Sequence, residues 1–299
     1  MLCVERGRHG VIRVGVAGWD YRDWTGVVYP APLPSGFDRL GYLCGFVDVL
    51  EINSTFYRPA DPRTAVSWVR RTARRSAFRF TAKAHRSWTH EPDPDFTTVV
   101  PETLRGLEPL RDAGALGALL IQFPQRFHHG PEALERLRRL LDGAQGWPVV
   151  VELRHVSWAH DEAVAPLAER GVGLCVVDQP RLRGTAPPEP RVSGKLSYLR
   201  LHGRNAADWF REGAGRDARY DYLYSTPELE GLAGVARGLA ESSSELFVVQ
   251  NNHFRGQALV NAIQMKHLLG EGRPLAPAEL VRAYPALAPV VTEEQSRLF

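Results

Sequence analysis

Four apolar segments of this chain end in pairs of polar side chains spaced two residues apart. The pairs are Glu51 and Asn53, Lys83 and His85, Glu152 and Arg154, and Arg200 and His202. Other segments end in the single polar residues Gln122 and Asp178 and in the neighbours Asn251 and Asn252. Side chains two apart on a strand share a face, and a buried charge needs a partner. The pattern therefore indicates a common polar basin where several strands end.

An anion site fits this set of side chains best. Lys83, Arg154 and Arg200 can hold a phosphate or a carboxylate, and arginine can do so through two parallel hydrogen bonds. Glu51 and Glu152 would then transfer protons as general acid and base, tuned by the cations around them. The resulting catalytic candidates are Glu51, Glu152, Lys83 and His202.

A metal centre is the first alternative. Its candidate ligands are Glu51, Glu152, Asp178, His85 and His202. Such a site needs donors that converge without competing cations, so Lys83, Arg154 and Arg200 would have to pair elsewhere. A divalent metal is therefore not favoured, and the pattern names no other cofactor.

Three further interpretations use the same residues. A glycosidase needs two carboxylates about 5–9 Å apart, whereas Glu51 and Glu152 lie on the second and fifth segments, which a closed barrel sets far apart. A Schiff-base lysine needs desolvation or a neighbouring cation, and Lys83 qualifies by its position. The three acidic and three basic side chains of the basin also balance in number, so they could form a network that only plugs the barrel end.

Eight short apolar segments at near-regular spacing position these side chains. They span residues 12–17, 47–52, 78–83, 118–123, 149–153, 172–178, 198–202 and 247–252. Amphipathic stretches typical of helices lie between them, at 38–46, 62–74, 101–112, 131–141, 161–170, 227–241 and 256–269. This alternation predicts a single (β/α)8 TIM barrel of eight parallel strands, whose chemistry lies where the strands end. Residues 179–195 are rich in Pro, Gly and Arg, so we expect a loop to replace one outer helix.

Length and composition limit the class of protein. The 299 residues, 44% hydrophobic and 24% charged, predict one barrel domain with an N-terminal extension at 1–11 and a peripheral C-terminal tail at 285–299. A net charge of +3 does not demand a polyanionic partner. Three cysteines without CxxC spacing suit a reducing compartment, and neither a signal peptide nor a membrane span is expected. We therefore expect a cytoplasmic protein without membrane association.

Longer motifs surround the strand ends and occur in order along nearly the whole chain. They include Gly18-Trp19-Asp20-Tyr21, Glu51-Ile52-Asn53-Ser54-Thr55-Phe56-Tyr57, Gln122-Phe123-Pro124, Glu152-Leu153-Arg154-His155, Arg200-Leu201-His202-Gly203 and Asn251-Asn252. Together they resemble the YecE-like domain-of-unknown-function family of TIM barrels. The resemblance implies a (β/α)8 fold and a pocket, but no particular reaction. With the strand ends, it gives the substrate-binding candidates Asn53, Tyr57, Gln122, Arg154, Asp178, Arg200, Asn251, Asn252, Trp19 and Tyr21. The chain departs from the family pattern at Ala17, Pro59 and Gln250.

These patterns favour an enzyme that acts on a small anionic, phosphorylated substrate by general acid and base chemistry, with phosphoester hydrolysis as the first hypothesis. A sugar-phosphate isomerase or lyase would use the same anion site and form its product without consuming water. A non-catalytic nucleic-acid-binding module is a third interpretation, because arginine and aromatic residues are interleaved in the loops, as in Arg86-Ser87-Trp88. The sequence leaves the oligomeric state and the presence of a metal open.

Overall fold

Eight parallel strands close into a barrel in chain order, as the sequence predicts. The computed structural model describes residues 10–209, 211 and 216–294. The strands are β1 (Val11–Ala17), β2 (Val49–Ile52), β3 (Arg79–Lys83), β4 (Leu116–Gln122), β5 (Val149–Glu152), β6 (Gly173–Asp178), β7 (Leu196–Leu201) and β8 (Glu245–Gln250). The pairing of β8 with β1 runs from Glu245 opposite Val11 to Gln250 opposite Val16, and it closes the barrel.

Helices alternate with most of the strands. In the described part of the chain they are α1 (Arg39–Leu43), α2 (Pro62–Thr72), α3 (Ser87–His90), α4 (Phe96–Asp112), α5 (Pro131–Gly143), α6 (Asp161–Glu169), α7 (Ala206–Trp209), α8 (Arg216–Arg219), α9 (Thr226–Glu241), α10 (Gln257–Lys266) and α11 (Ala278–Ala283). A π-helical turn at His267–Glu271 extends α10. The predicted loop at 179–195 is confirmed, since this fully described connection between β6 and β7 contains no helix.

Helix α4 begins at Phe96, whereas the sequence predicts a start at residue 101. Asp95 caps this helix, because its carboxylate accepts a hydrogen bond from the Thr97 backbone N–H at 3.0 Å. Pro101 therefore lies inside the helix. The prediction used Pro101 as a marker of the first turn and was wrong, because the aspartate upstream supplies the cap.

Alternate strand residues fill the barrel interior with apolar side chains. This inner cluster consists of Ala17, Val49, Ala118, Leu120, Val150, Cys175, Val177, Tyr198, Phe247 and Val249. The intervening residues belong to a larger cluster that includes the buried faces of the outer helices. Layers of this kind make the interior of a TIM barrel a packed core. The polar strand ends therefore lie above an apolar floor.

The chain continues past the barrel into α11, the 3-10 helix Pro285–Val290 and a small parallel sheet. In that sheet, β9 (Leu275–Ala276) pairs with β10 (Thr292–Glu293). Leu287 is fully buried, so the start of the predicted C-terminal tail packs against the rest of the protein. Residues 1–9 of the predicted extension and 295–299 of the predicted tail lie outside the described residues. Among the described helices, none is long and apolar enough to cross a membrane.

Candidate functional site

The ends of the strands deliver a layer of polar side chains to the barrel interior. Seven of them are at most 9% exposed, and Arg154 joins them with a side chain that is 15% exposed. We call this set the polar layer: Glu51, Lys83, Gln122, Glu152, Arg154, Arg200, His202 and Asn251. Each side chain lies on the inner face of the barrel, like the side chain two residues before it on the same strand. Glu51 thus continues the inner face after Val49, and Arg200 continues it after Tyr198. The period of two along a strand thus brings residues that are distant in the sequence into one layer.

Arg200 lies at the centre of the polar layer and joins both of its glutamates, so the expectation that the barrel sets Glu51 and Glu152 far apart is wrong. Its guanidinium donates two hydrogen bonds to Glu51, from Nε to Oε2 at 2.9 Å and from Nη2 to Oε1 at 2.6 Å. Nη1 donates to Glu152 Oε2 and to Gln122 Oε1, each at 3.1 Å. Tyr198 donates a hydrogen bond to Glu51 from below at 2.9 Å. Burial opposes the charge of Arg200, but the two carboxylates hold its pKa well above the ordinary value.

Glu152 is a carboxylate that two arginines keep ionised at neutral pH. Its Oε1 accepts a hydrogen bond from Arg154 Nε, while Oε2 accepts from Arg200. Burial alone would raise the pKa of Glu152, yet Arg154 and Arg200 hold that pKa well below its usual range. At neutral pH this side chain therefore acts as a fixed negative charge.

His202 is held as a neutral imidazole between the two arginines. Its Nε2 lies 3.2 Å from Arg154 Nη2 and 3.3 Å from Arg200 Nη1. The side-chain amide of Asn251 lies 2.9 Å from Nδ1. Burial, followed by Arg154 and Arg200, lowers the pKa of His202 to about 3. The ring therefore orients the guanidinium groups without adding a positive charge.

Lys83 differs from the rest of the polar layer, because its amine has no ion pair or hydrogen bond with any described residue. Its Nζ instead lies 4.2 Å from the centroid of the Phe56 ring. Burial and then Arg200 lower the pKa of Lys83 to about 7, although Glu51 and Glu152 act in the opposite direction. Near neutral pH a substantial fraction of this amine is therefore unprotonated.

A cavity of about 610 Å³ opens above the polar layer on the side of β1, β2, β3 and β8. Lys83, Arg200 and Arg219 are the cationic residues of its lining, and Asp20 is its carboxylate. Aromatic side chains form much of the wall, namely Trp19, Tyr21, Tyr57 and Tyr220. A cavity of this size matches a small ligand, and its charges match an anion.

The predicted site residues fall into three groups. Trp19, Tyr21, Asn53, Tyr57, Lys83, Arg200 and Asn251 line the cavity. Glu51, Gln122, Glu152, Arg154 and His202 belong to the polar layer but not to the cavity wall. The third group is Asp178 and Asn252. Both lie on the outward face of their strands, in line with Val176 of β6 and Val248 of β8, and away from the cavity.

Asp178 and Asn252 support the loops around the barrel mouth. Asp178 accepts hydrogen bonds from Arg204 and from the Tyr224 hydroxyl, the latter at 2.6 Å. The Asn252 amide donates to Asn261 Oδ1 on α10 at 2.8 Å and to a backbone carbonyl of the loop before α9. These two residues hold Arg204, Tyr222 and Tyr224 in place around the barrel mouth.

Six residues of the cavity wall were not among the predicted site residues: Gly18, Asp20, Ser54, Arg219, Tyr220 and His253. The first three lie in the motifs that follow β1 and β2. His253 lies two residues beyond Asn251, so the same alternation could have identified it. Arg219 and Tyr220 come from the long connection between β7 and α9, which has no periodicity that would place them. His85 shares the spacing but not the site, because its ring contacts Ser87 Oγ at 2.8 Å and the loop backbone.

The residues that the sequence offered as metal ligands do not converge. Within the described part of the chain, no three His, Cys, Asp or Glu side chains have the arrangement of a metal site. Glu51 and Glu152 direct their oxygens at guanidinium groups, and Asp178 pairs with Arg204. The geometry is that of a network of ion pairs beside a cationic cavity.

Known proteins share this architecture over nearly the whole chain. The family model described as "Protein of unknown function DUF72" matches residues 13–283. The UPF0759 protein YunF of Bacillus subtilis is 27% identical over 285 residues, which cover 90% of this chain and 99% of YunF. The crystal structure of a DUF72 family protein from Thermotoga maritima has 32% identity and a TM-score of 0.75, covering 87% of this chain and 99% of that chain. A DUF72 family protein from Enterococcus faecalis has 26% identity and a TM-score of 0.75, over 87% and 95% of the two chains.

The matched range includes all eight strands except the first residues of β1, and it contains every member of the polar layer. The resemblance to the YecE-like family is thereby confirmed, since both names denote one family. The chain belongs to the DUF72 family.

Proposed function

We propose that the protein is an enzyme that binds a small phosphorylated or otherwise anionic substrate in the cavity and acts on it as an isomerase or lyase. The observation that carries this proposal is the Lys83 amine, which lines the cavity without an ion pair to any described residue. TIM-barrel enzymes place their chemistry at this end of the strands. The cavity thus combines a reactive group with the expected location.

The charges around the cavity favour an anion. Arg154 and Arg200 neutralise the two glutamates of the polar layer. Lys83 and Arg219 are further cations of the lining, whereas Asp20 forms an ion pair with an arginine at the rim. A phosphate or carboxylate group of the substrate would balance these cations, and arginine binds such groups through parallel N–H bonds.

The chemistry is assigned to Lys83, because proton transfer or nucleophilic attack at neutral pH needs a group whose pKa lies near 7. The pKa of Lys83 is lowered to about 7, mainly by burial and by Arg200. Glu152 stays ionised through its arginine partners, which favours an electrostatic role for it. This difference ranks an isomerase or lyase ahead of phosphoester hydrolysis, in which Glu51 and Glu152 would move the protons.

A thermal-shift assay tests the anion site. We expect inorganic phosphate and dihydroxyacetone phosphate to raise the melting temperature, with a stabilisation of about 2.7 kcal/mol at a hundredfold excess over Kd. Arg219→Ala should remove most of the shift, because it deletes a cation of the lining. Lys195→Met, which deletes an exposed lysine outside the cavity, should keep it. The proposal would be contradicted if neither anion raised the melting temperature, or if Arg219→Ala showed the same shift as the wild type.

Proton NMR in D2O separates the two reaction types. An isomerase or lyase exchanges a carbon-bound proton of a sugar phosphate for deuterium, whereas phosphoester hydrolysis releases inorganic phosphate without that exchange. We expect an exchange that Lys83→Met abolishes and Lys195→Met preserves. Phosphate release without exchange would support hydrolysis instead.

A further inference from the structure

We propose that Lys83 is a nucleophile that forms an imine with the carbonyl carbon of the substrate, which is therefore an anionic aldehyde or ketone. This inference rests on the proposed function and narrows its class of substrate. Three features of the described residues support it: the position of the amine, the engagement of the nearby carboxylates elsewhere, and a further cation in the lining of the same cavity.

The lysine is held in position by the 3-10 helix Ser54–Phe56 that follows β2. The Thr55 hydroxyl lies 2.7 Å from the Lys83 carbonyl oxygen and donates a hydrogen bond to it. The Phe56 ring lies 4.2 Å from Nζ. An aromatic face stabilises a cation without occupying its N–H groups in hydrogen bonds. It therefore suits both an ammonium and the iminium that would replace it.

The nitrogen lone pair is available because no described carboxylate is hydrogen bonded to Nζ. Glu51 and Glu152 are engaged by Arg200, which donates hydrogen bonds to both. A buried amine beside a guanidinium is the environment in which a lysine becomes nucleophilic. The pKa of about 7, caused by burial and Arg200, agrees with this arrangement.

The lining also supplies an orientation for the substrate. Arg219 lines the same cavity as Lys83. Arg200 lines it too, but its guanidinium already donates hydrogen bonds to Glu51, Glu152 and Gln122. If Arg219 holds the anionic group, the rest of a small substrate lies in the same cavity as the Lys83 amine. Imine formation would then proceed within the cavity, which has room for a small molecule and for the water that the reaction releases.

The covalent step balances without an oxidant or reductant. The Nζ lone pair attacks the carbonyl carbon, an N–C bond forms, and the C=O π electrons move to the oxygen, which takes up a proton to give a carbinolamine. The hydroxyl then takes a second proton and leaves as water, while the nitrogen lone pair forms the C=N bond. The attacking amine loses one proton in this sequence. The net change is therefore amine, carbonyl and one proton to iminium and water.

Reductive trapping of the wild-type full chain tests this step. The protein is incubated near neutral pH with sodium cyanoborohydride and one of three carbonyl compounds, dihydroxyacetone phosphate, glyceraldehyde 3-phosphate or pyruvate. Glycerol 3-phosphate, which lacks a carbonyl group, is the matched control. The chain has only three lysines, Lys83, Lys195 and Lys266, so peptide mass spectrometry assigns every lysine adduct. We expect a reduced adduct on Lys83 and none on the exposed Lys195.

The possible results separate the imine from the anion site. A carbonyl-dependent adduct on Lys83 that is absent from Lys83→Arg supports the inference. No Lys83 adduct with any of the three compounds, while inorganic phosphate still raises the melting temperature, overturns the imine and leaves the anion site standing. Loss of both signals overturns the proposed function as well. Equal labelling of Lys195 and Lys83 also overturns the inference, because it shows ordinary amine reactivity.

Discussion

Burial pushes an ionisable side chain toward its neutral form, and its partners decide whether the charge survives. Glu152 keeps its charge because Arg154 and Arg200 donate hydrogen bonds to its two oxygens. Lys83 lies in the same layer, but its described neighbours offer an aromatic ring in place of a carboxylate. One layer of the barrel thus contains a fixed anion and an amine that titrates near neutral pH.

The free energy of unfolding should contain a contribution from Lys83 that grows as the pH rises from about 7 to 10. The pKa of Lys83 is about 7 in the folded protein and about 10.4 in an unfolded chain. Between these values the unfolded chain binds the extra proton, so a higher pH favours the folded state. The destabilisation caused by burying the charged Lys83 amine is fully present below pH 7 and disappears above the unfolded pKa.

Lys83→Met should remove this contribution and stabilise the protein at pH 7. Urea unfolding at a series of pH values measures it as the difference between wild type and variant, which should shrink toward high pH. Lys195→Met is the control, since its exposed side chain should leave the profile unchanged. A pH-independent difference for Lys83→Met would contradict the lowered pKa.

The contribution of Glu152 to the free energy of unfolding should also grow as the pH rises, but in an acidic range. Because its folded pKa lies well below the usual range, its stabilising contribution is present above the unfolded pKa of about 4.3 and is lost as the pH falls below that value. At pH 7, Glu152→Gln should cost about 3–5 kcal/mol in urea unfolding, because Arg154 loses its carboxylate partner and Arg200 keeps only Glu51. Glu135→Gln, at an exposed position, should cost less than about 0.5 kcal/mol. Equal effects of the two substitutions would show that the buried ion pairs contribute little.

At the scale of elements, the alternation of side chains along each strand decides which polar residues enter the polar layer. The pairs at the ends of β5 and β7, and the first members of the pairs after β2 and β3, could be predicted from the two-residue spacing of one strand face. His85 repeats that spacing but contacts Ser87 and the loop backbone instead. The outward positions of Asp178 and Asn252 could not be predicted, because barrel strands are apolar on both faces and their sequence does not mark the inner one. Arg219 reaches the cavity from a long loop, where no repeat constrains the chain.

The tryptophans that follow Arg in the sequence belong to a turn that occurs twice. After β3 and after β5, in residues 85–88 and 155–158, a His Nδ1 lies 2.8 Å from the hydroxyl of the Ser two residues on. The next residue in each turn, Trp88 or Trp158, is buried and donates its indole N–H to a backbone carbonyl. These two rings anchor loops to the barrel and have no exposed face for a base.

Gln250 on β8 should reduce the stability of the barrel. Its side chain is fully buried, and neither atom of its amide has a hydrogen-bond partner among the described residues. It continues the alternation of Leu246 and Val248, whose side chains belong to the apolar cluster outside the strands. An unsatisfied buried polar group costs about 1–3 kcal/mol. Because Gln250→Met replaces the amide with an unbranched apolar side chain, it should raise the free energy of unfolding in urea by about that amount. The exposed Gln145→Met should leave stability unchanged. A less stable Gln250→Met would mean that the amide is satisfied, for example by bound water.

At the scale of the whole molecule, one small cavity is lined by three cationic residues and a single carboxylate. The net charge is only +3. The three acidic and three basic side chains that balance in the sequence do not all lie together in the structure. Asp178 pairs with Arg204 on the outward side, so it does not balance Lys83. The folded chain therefore directs the Lys83 amine, which has no carboxylate partner among the described residues, toward a cavity that admits small molecules.

Binding to nucleic acid should accordingly be weak. We expect short single-stranded RNA to bind, at about 0.15 M salt, no tighter than the 10⁻⁴ to 10⁻⁶ M typical of non-specific contacts. Fluorescence anisotropy measures this affinity, and glycerol 3-phosphate should not displace the RNA if the contacts lie outside the cavity. Tight binding with a steep dependence on salt would instead favour the nucleic-acid-binding interpretation.

The seam between β8 and β1 has a consequence for how the protein is made. The strands that close the barrel come from opposite ends of the chain, and an ion pair between Arg13 and Glu245 spans the same seam. A nascent chain that has not yet released β8 from the ribosome exposes the open edge of β1, which is a template for pairing with other chains. It also lacks Asn251, and with it the partner of His202 Nδ1. Barrel closure and completion of the polar layer therefore depend on the same late segment, so a chain interrupted before β8 would have neither a sealed sheet nor an assembled site.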